Sequence, residues 1–414
     1  MNAIRCIGGA SLFALLTLTL TGCGGSGSSS SGGGGSSPQS TEILYAKDPD
    51  AGIFVFRIDT NSGNLTPVQT VTLPPSNNCY TVGETLLLVT ASGRFLYTDD
   101  ENCGAASSAY RLDAYSIGAD GILTLVSGSP FGLPSIPIYS PPDIAAIAIN
   151  PASTALYAIG YQFSGIVGFE IDASTGALAP MLNVLLTYPL GGSGAAIDPS
   201  GRFLYRTDEF DNSSTGTGIS AFSIDPASGG LTPLQNSPYS VPGSSWPQQA
   251  IIDPTGHYLY SGLWSAHGVA GFVRNLNTGD LTAMPGSPFE SESTVEAIAM
   301  NPSGSFLYAE NYGDDTITAF AADPVTGVLG QEAGSPFPPE EDPYFNAVQG
   351  ECMAVDPSGN FLYVGAGNSP GIAIYRINQS SGALSAARGS AYEIDGGNLD
   401  QVGGVPNLAV VQIK

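Results

Sequence analysis

The chain has 414 residues, of which 36 are Asp or Glu and 11 are Lys or Arg, giving a formal net charge of −25 at pH 7. So few basic residues exclude a surface that follows the phosphates of a nucleic acid, and we expect no nucleic-acid partner. The acidity favours solubility and cationic partners, and it disfavours anionic ligands unless basic groups are locally concentrated.

Residues 1–22 have the pattern of an export signal. Arg5 gives a short positive start, an apolar stretch follows, and the segment ends in Leu-Thr-Gly-Cys. This pattern is typical of a secretory signal, and the apolar stretch is too short to span a bilayer as a helix. The ending resembles the lipobox of bacterial lipoproteins, which implies that Cys23 becomes a lipid-bearing N-terminus. An ordinary signal peptide that ends in Gly-Cys is the alternative.

The lipoprotein resemblance also predicts a location. Gly24 follows Cys23 where an Asp would imply retention at the inner membrane. We therefore expect an exported protein, anchored in the cell envelope through a lipid on Cys23. In an organism with two membranes, the expected place is the outer membrane or the cell surface.

Residues 23–40 are predicted to be a linker, because after Cys23 they are almost entirely Gly and Ser. Such a segment cannot bury a core and behaves as a flexible tether. Its root-mean-square reach is roughly 20–25 Å. We expect it to hold a folded body at residues 41–414 away from the membrane.

Two short phrases repeat along residues 41–414. The first reads DPSGRFLY at Asp198, with near copies at Asp253, Asn301 and Asp356 and looser ones earlier in the chain. Its final tyrosine, or the equivalent tyrosine, stands at positions 45, 97, 157, 205, 260, 308 and 363. The second phrase, an Asx or Gly start followed by a Gly and an apolar residue, also occurs seven times. The period of about 53 residues predicts a propeller or a solenoid.

Each unit has the pattern of four short strands separated by Gly, Pro and Asx turns, as in QAIID, HYLYSGL, VAGFVRN and LTAMPGS from Gln248 onward. The repeats begin with a second-strand pattern, EILYAKD, and end with a first-strand pattern, PNLAVVQIK. If these two strands share a sheet, they close the ring without an exposed edge. The sequence therefore predicts an all-β, seven-bladed β-propeller of four-stranded antiparallel blades.

Both repeated phrases occupy the turns after the first and third strands of each blade, so both lie on one face of the disc. We call this face the turn face, and we call the other, which carries the loops after the second and fourth strands, the top face. The repeated phrases are scaffold. Specific chemistry is expected on the top face, where the units differ.

The (D/N)PSGxFLY turn, the F-x-I-D-x-x-T-G-x-L hairpin and the SPF-type ending resemble those of the seven-bladed lactonase-like propellers, a family that includes 6-phosphogluconolactonase-like proteins. The resemblance covers roughly residues 41–414 and implies hydrolysis of a sugar lactone. Two features depart from it. The family pattern places a His five residues before the Asx of the turn, where this chain has none. A phosphorylated cytoplasmic lactone is also a poor substrate for an exported, strongly acidic protein.

In each blade, the residue five positions before the Asx of the first phrase lies where the innermost strand begins at the top face. The innermost strands line the propeller channel. Gln248, Glu296, Glu351 and Asn407 stand at these positions in four consecutive blades. Glu296 and Glu351 are the candidate catalytic pair, since neighbouring carboxylates can differ in pKa and one can activate water. Gln248 and Asn407 are candidate substrate-binding residues. The alternative is that all four solvate a wet channel mouth.

Arg206 and Arg111 are further substrate-binding candidates, because cations near the same face can stabilise an oxyanion or a carboxylate product. An aromatic wall for a sugar or a peptide is also predicted, with packing between blades as the alternative. Its candidate members are Trp246, Trp264, Tyr312, Tyr344 and Phe345. The acidic top-face loops match no defined calcium loop, so we expect no metal and no cofactor.

Three cysteines remain in the folded body. Cys79 and Cys103 are predicted to form a disulfide in an oxidising envelope, with free thiols as the alternative. Cys352 lies in an apolar run and is predicted to be a buried small hydrophobic residue.

Two functions are consistent with these features. The first is a lactonase-like hydrolase that opens a sugar-derived lactone outside the cytoplasm. The second is a non-catalytic envelope propeller that binds a small-molecule or protein ligand on its top face. The hydrolase requires residues that converge on a site of small-molecule size. The fold alone does not distinguish the two functions.

Overall fold

The computed structural model describes residues 41–48, 52–72, 86–100, 111–133, 144–160, 165–187, 191–210, 218–243, 246–338, 352–366, 371–393 and 407–413. Several predicted features lie outside these residues: the export signal, the linker with Cys23, Cys79, Cys103, Tyr344, Phe345 and Glu351. The predicted disulfide and lipid anchor therefore stay predictions.

The described residues contain 31 β-strands and no helix. In chain order the strands are β1 (Thr41–Asp48), β2 (Gly52–Ile58), β3 (Leu65–Val71), β4 (Leu87–Val89), β5 (Phe95–Asp100), β6 (Arg111–Ile117), β7 (Leu123–Leu125), β8 (Phe131–Gly132), β9 (Ile144–Ile149), β10 (Ala155–Gly160), β11 (Gly165–Ile171), β12 (Leu178–Thr187), β13 (Gly191–Ile197), β14 (Phe203–Phe210), β15 (Gly218–Ile224), β16 (Leu231–Pro233), β17 (Tyr239–Ser240), β18 (Pro247–Ile252), β19 (Tyr258–Leu263), β20 (Gly268–Arg274), β21 (Leu281–Ala283), β22 (Phe289–Glu290), β23 (Val295–Met300), β24 (Phe306–Asn311), β25 (Thr316–Ala322), β26 (Leu329–Gln331), β27 (Cys352–Val355), β28 (Phe361–Ala366), β29 (Gly371–Ile377), β30 (Leu384–Glu393) and β31 (Asn407–Ile413).

These strands form seven antiparallel sheets, each with a path of four strands. From the innermost strand outward, the blades are β31-β1-β2-β3, β4 to β7, β9 to β12, β13 to β16, β18 to β21, β23 to β26 and β27 to β30, numbered here 1 to 7. The innermost strands β31, β4, β9, β13, β18, β23 and β27 contact one another in that order, and β27 contacts β31 again. The predicted seven-bladed propeller is confirmed.

The ring closes in blade 1, where the two ends of the folded body share a sheet. Strand β31 pairs antiparallel with β1, from Thr41 opposite Ile413 to Lys47 opposite Asn407. The prediction that the terminal strands close the ring is confirmed. Closure leaves no innermost strand with an open edge at this point.

The DPSG phrase forms the turn between the first and second strands. In blade 4 the Asp198 side chain accepts hydrogen bonds from the backbone N–H groups of Arg202 and Phe203, both at 2.8 Å. Gly201 takes a positive φ of 70°, which glycine adopts at little cost. The phrase is therefore a local fold signal.

The tyrosine that ends the phrase joins neighbouring blades. Tyr205 is fully buried, and its Oη donates to the carbonyl oxygen of Gly279 in the next blade at 2.7 Å. Gly279 stands against the Phe203 ring, and a Cβ added there would lie 2.4 Å from that ring. The first phrase of one blade thus binds the second phrase of the next.

The core lies between the faces of adjacent blades. Its largest side chains, apart from two cations described below, are the seven repeat tyrosines and phenylalanines such as Phe56, Phe169 and Phe222. Burying one such ring contributes roughly 1.5–3 kcal/mol. Cys352 is a free, buried cysteine whose sulfur accepts a hydrogen bond from the N–H of Leu408 at 3.0 Å, which confirms the prediction for this residue.

Candidate functional site

A β-bulge recurs where the innermost strand enters its blade from the top face. In blade 6, Val295 pairs with Asn311 and Ile298 pairs with Ala309. Glu296 and Ala297 therefore stand opposite the single residue Glu310. A bulge bends its strand and turns a side chain away from the regular alternation, and bulges are frequent beside active sites.

Blade 5 has the same irregularity. Pro247 pairs with Leu263 and Ala250 pairs with Ser261, so Gln248 and Gln249 stand opposite Gly262. Blades 3 and 4 repeat it with Ala145 and Ser193 as the extra residues. The position chosen from the sequence is thus a bulge position in four consecutive blades. We call the residues Gln248, Gln249, Glu296, Ala297, Gly262 and Glu310 the bulge layer.

Gln248 and Glu296 are both nearly inaccessible, at 2% and 1% exposure. Gln248 donates from Nε2 to the carbonyl oxygen of Trp246 at 3.3 Å. The two residues hold equivalent positions on β18 and β23, which are in contact. The structure therefore brings these two candidates to one sector of the top face.

Gln249 and Glu310 are members of the bulge layer that sequence reasoning missed. The Oε1 of Gln249 accepts a hydrogen bond from the N–H of Ile298 at 2.9 Å, which ties blade 5 to blade 6 beside Glu296. Glu310 is buried directly across the bulge from Glu296. It stands two residues after the repeat tyrosine, a position where a charged side chain is a readable signal.

Arg206 differs from its prediction. It was expected where a strand meets the top-face loops, but it lies within β14 and is fully buried. Its Nε and Nη2 atoms donate to Oδ1 of Asp208 at 2.8 and 2.6 Å, and Asp208 also accepts from Ser220 at 2.6 Å. Burial raises the pKa of Asp208, and the Arg206 charge and the Ser220 hydroxyl oppose that shift. The guanidinium charge is therefore compensated inside the blade by Asp208. Gly192 leaves room for the aliphatic part of Arg206, since a Cβ at Gly192 would lie 2.9 Å from the Arg206 Cδ.

Lys47 is a second buried cation, and its role was not predicted. Its Nζ donates to Oδ1 and to the carbonyl oxygen of Asp99, at 2.8 and 3.0 Å. The same carboxylate accepts from the N–H of Leu86 at 2.9 Å. Lys47 and Asp99 both stand two residues after a repeat tyrosine, so the pair joins blade 1 to blade 2 at equivalent positions.

Asn407 stands one position further into its strand than the sequence comparison placed it. It is buried and pairs with Lys47, as Cys352 pairs with Gly365 in blade 7. It is therefore level with Cys352 and not with Glu351. The misalignment arose because no Asx turn follows β31, which left no fixed point for counting.

Arg111 is not brought to the bulge layer. It begins β6, the third strand of blade 2, and pairs with Asp100 and with Gly132. Blade 2 is separated from blades 5 and 6 by two other blades in either direction around the ring. A third strand also lies away from the channel axis.

Three members of the predicted aromatic wall come together beside the bulge layer. The Trp264 and Tyr312 ring centroids are 5.5 Å apart, with an interplanar angle of 43°. Both residues are partly exposed, and Trp246 is 38% exposed. The N–H of Trp264 donates to the carbonyl oxygen of Trp246 at 3.0 Å. This sector of the top face therefore combines aromatic rings with buried polar groups.

The described ranges contain neither a cluster of metal-binding side chains nor a membrane-spanning helix. Within those ranges, no group of three or more His, Cys, Asp or Glu side chains is placed to hold a metal ion. The same part of the chain has no helix of the length and apolarity needed to cross a membrane.

Fold and site together define a closed seven-bladed β-propeller with a polar bulge layer on its top face. The family model for the lactonase seven-bladed β-propeller matches residues 146–295 and 281–395. The chain belongs to this lactonase family of seven-bladed β-propellers. The resemblance noted in the repeats is confirmed.

Individual relatives agree with the family. A 6-phosphogluconolactonase from Pectobacterium carotovorum is 26% identical over 230 residues, which span 54% of this chain and 60% of the relative. The solved structure of a candidate 6-phosphogluconolactonase from Bacteroides fragilis is 19% identical to this chain. The superposition covers 91% of this chain and 99% of that protein, with a TM-score of 0.69. The periplasmic gluconolactonase of Pseudomonas aeruginosa is 17% identical, with coverage of 91% and 99% and a TM-score of 0.66. At these identities the two structures establish the fold alone.

Proposed function

We propose that this lactonase-like propeller hydrolyses a non-phosphorylated, sugar-derived lactone outside the cytoplasm. The observation that carries the proposal is the pair of buried carboxyl groups, Glu296 and Glu310, across the blade 6 bulge. Membership of the lactonase family supports the reaction class. The names of the relatives, a 6-phosphogluconolactonase and a gluconolactonase, support a sugar lactone.

The reaction needs a base and an acid. Water adds to the lactone carbonyl carbon and gives a proton to a carboxylate, the ring C–O bond breaks, and the leaving oxygen takes a proton, yielding one hydroxy acid. We assign Glu296 as the base. For the acid we propose two candidates: Glu351, the other member of the catalytic pair predicted from the sequence, and Glu310. Buried carboxyls of this kind can differ in pKa and so divide the two roles.

The substrate-binding roles follow from the polar groups nearby. Gln248 offers amide donors and an acceptor for substrate hydroxyl groups next to Glu296. Asn407 belongs to blade 1, which follows blade 7 around the ring, and is a further candidate for contacting the substrate in the same channel. Arg206 and Lys47 are bound by carboxylates, so we assign them to holding blade edges in place.

A non-phosphorylated substrate fits the charges of this sector. Residues 246–338 contain one Lys or Arg, and that residue, Arg274, binds Asp198 on the turn face, with its Nη2 3.3 Å from Oδ2. A phosphate group would find no uncompensated cation in these two blades, and strong acidity disfavours anions generally.

Proton release on a pH-stat with non-phosphorylated aldonolactones tests the function. Glu296→Gln should lower kcat/KM by about 10²–10⁴-fold, the usual contribution of a general base. Glu292→Gln is the matched control, because this exposed carboxylate lies four residues earlier, in the loop before β23. Glu310→Gln and Glu351→Gln, measured separately, identify the acid.

The outcomes separate the function from the site. Turnover that Glu296→Gln leaves unchanged would preserve the hydrolase and refute this site. No turnover of any lactone by the wild-type chain would refute the hydrolase and favour the binding propeller, for which the partly exposed aromatic rings are the supporting observation.

We also propose that the protein is exported and anchored in the cell envelope through a lipid on Cys23. The supporting feature is the Leu-Thr-Gly-Cys sequence after an apolar stretch. Cys23→Ser should move the protein from the membrane fraction to the soluble fraction and remove labelling by a radioactive fatty acid. Labelling that persists in Cys23→Ser would refute the anchor.

A further inference from the structure

Trp264 and Tyr312 occupy the same repeat position in blades 5 and 6, directly after the second strand. The N–H of Tyr312 donates to the carbonyl oxygen of Thr294 at 2.9 Å, as that of Trp264 does to Trp246. The Thr294 hydroxyl donates to the carbonyl oxygen of Trp264 at 2.8 Å, which links the two blades. Thr294 of blade 6 thus holds the backbone on both sides, through its carbonyl oxygen at Tyr312 and its hydroxyl at Trp264.

The ring geometry defines how a ligand can approach. A guest held between two ring faces needs a separation of about 7 Å or more, because each van der Waals contact takes about 3.5–4.0 Å. The observed centroid distance of 5.5 Å is too short for that arrangement. The rings contact each other at an interplanar angle of 43°, so together they form an angled wall. This excludes a guest sandwiched between the two ring faces, and it allows a sugar ring to stack on one ring with its edge against the other.

The platform, meaning Trp264 and Tyr312, lies at a defined height above the bulge layer. Gly262 and Glu310, which stand opposite the bulges, precede Trp264 and Tyr312 by two residues each. At about 3.3 Å per residue this places the platform about 7 Å along the strand direction from the bulge layer. That distance is close to the length of one sugar ring.

The charges around the platform select the kind of ligand. Asp314 and Asp315 belong to the same hairpin as Tyr312, and Glu292 lies on the neighbouring loop. Arg274, the one Lys or Arg among residues 246–338, is bound on the turn face. An anionic group is therefore disfavoured here. An uncharged sugar ring, with an apolar C–H face for stacking and hydroxyl groups for the rim, matches the surface.

From these observations we propose that Trp264 and Tyr312 bind an uncharged sugar ring that extends the substrate beyond the lactone ring. The preferred substrate is then the lactone of a disaccharide, with its lactone at the bulge layer and its second ring on the platform. The part of this proposal that concerns the lactone rests on the proposed function. The binding of a sugar ring by Trp264 and Tyr312 can be tested without any turnover.

The chain has two tryptophans, Trp246 and Trp264, which gives a direct spectroscopic test. In full-length Trp246→Phe, excited selectively at tryptophan, the tryptophan emission comes from Trp264 alone, and it is titrated with cellobiose, maltose and glucose. We expect a saturable change with a disaccharide that Tyr312→Ala weakens by about 3- to 10-fold in Kd and that Tyr312→Phe retains. No saturable change with either disaccharide would overturn the platform.

Kinetics provide the second test. Tyr312→Ala should lower kcat/KM for a disaccharide lactone by a factor about 3- to 10-fold larger than its effect on kcat/KM for glucono-1,5-lactone. An equal loss for both lactones would overturn the platform, because it would indicate a structural role for the ring. A saturable fluorescence change without hydrolysis of any lactone would support the platform and refute the proposed hydrolase.

Discussion

Tyr363 of blade 7 donates its phenolic O–H to the carbonyl oxygen of Gly63 in blade 1, at 3.0 Å, across the point where the ring closes. The equivalent bond joins each of the other six pairs of neighbouring blades, with lengths from 2.6 to 3.1 Å. Burial raises the pKa of Tyr157 to about 12, and it raises that of each other repeat tyrosine as well. The closing junction therefore uses the same neutral donor as every other junction.

Tyr363→Phe should destabilise the fold by about 1–2 kcal/mol, because it removes one hydrogen bond and leaves the Gly63 carbonyl without that donor. Tyr260→Phe, at a junction away from the closure, should lose a similar amount. Urea unfolding of both variants checks this. A loss at Tyr260 without a loss at Tyr363 would mean that closure does not depend on this bond.

Gly63→Ala should cost more than the hydrogen bond. Gly63 has a φ of 80°, and an added Cβ would lie 2.5 Å from the ring of Phe361 across the closure. The strained backbone and the forced movement of the ring together predict a loss of about 2–4 kcal/mol. Gly330→Ala is the matched control, because a Cβ at Gly330 would meet nothing within 4 Å. Equal unfolding midpoints for the two variants would contradict the expected packing.

The repeats made the fold predictable. The tyrosines and the positive-φ glycines recur at fixed spacing, and each recurrence is one physical contact between blades. The same regularity located the entry of each innermost strand, so Gln248 and Glu296 were found from the sequence. The aromatic residues Trp264 and Tyr312 were also found as a group, because they occupy the segments that vary between units.

The bulge layer could not be predicted in full. A bulge changes the register between strands by one residue, and the local sequence does not mark that change, so Gln249 was missed. Glu310 was marked only by its charge two residues after the repeat tyrosine. Buried ion pairs were missed for a different reason. Arg206 looked like a loop residue because a charged side chain within a strand is unusual, and its partner Asp208 is visible only once the strand is placed.

The turn carboxylates have different neighbours at different junctions. Asp198 of blade 4 is bound by Arg274 of blade 5. Asp356, its equivalent in blade 7, meets Glu42 of blade 1, and Glu42 is 2% exposed. Burial, the Asp356 charge and a hydrogen bond with Asp356 raise the pKa of Glu42 to about 7 from its ordinary 4.5. Burial raises the pKa of the nearby Tyr363, and the charges of Asp356, Glu42 and Asp59 add to that shift.

This carboxyl pair predicts a pH dependence of stability. Between about pH 4.5 and 7 the unfolded chain has lost the Glu42 proton while the folded chain keeps it. The free energy of unfolding should therefore fall as the pH rises through that window, by up to about 3 kcal/mol, and change little above it. Glu42→Gln keeps the shape and the hydrogen bond without the titration. Its stability relative to wild type should rise between pH 4 and pH 8, as measured by urea unfolding, and a constant difference would contradict the assignment.

Asp208→Asn tests the buried ion pair of blade 4. Arg206 and Asp208 are both fully buried, so loss of the carboxylate charge leaves a cation in a site of low polarity. The expected loss is about 3–5 kcal/mol, the usual cost of removing one partner of a buried pair. The double variant Arg206→Met with Asp208→Leu should lose less than Asp208→Asn alone, because it removes the charge together with its partner.

Ser220→Ala, which removes only the hydroxyl bonded to Asp208, should cost about 1–2 kcal/mol. If Asp208→Asn costs no more than Ser220→Ala in urea unfolding, the pair contributes no electrostatic stabilisation to this blade.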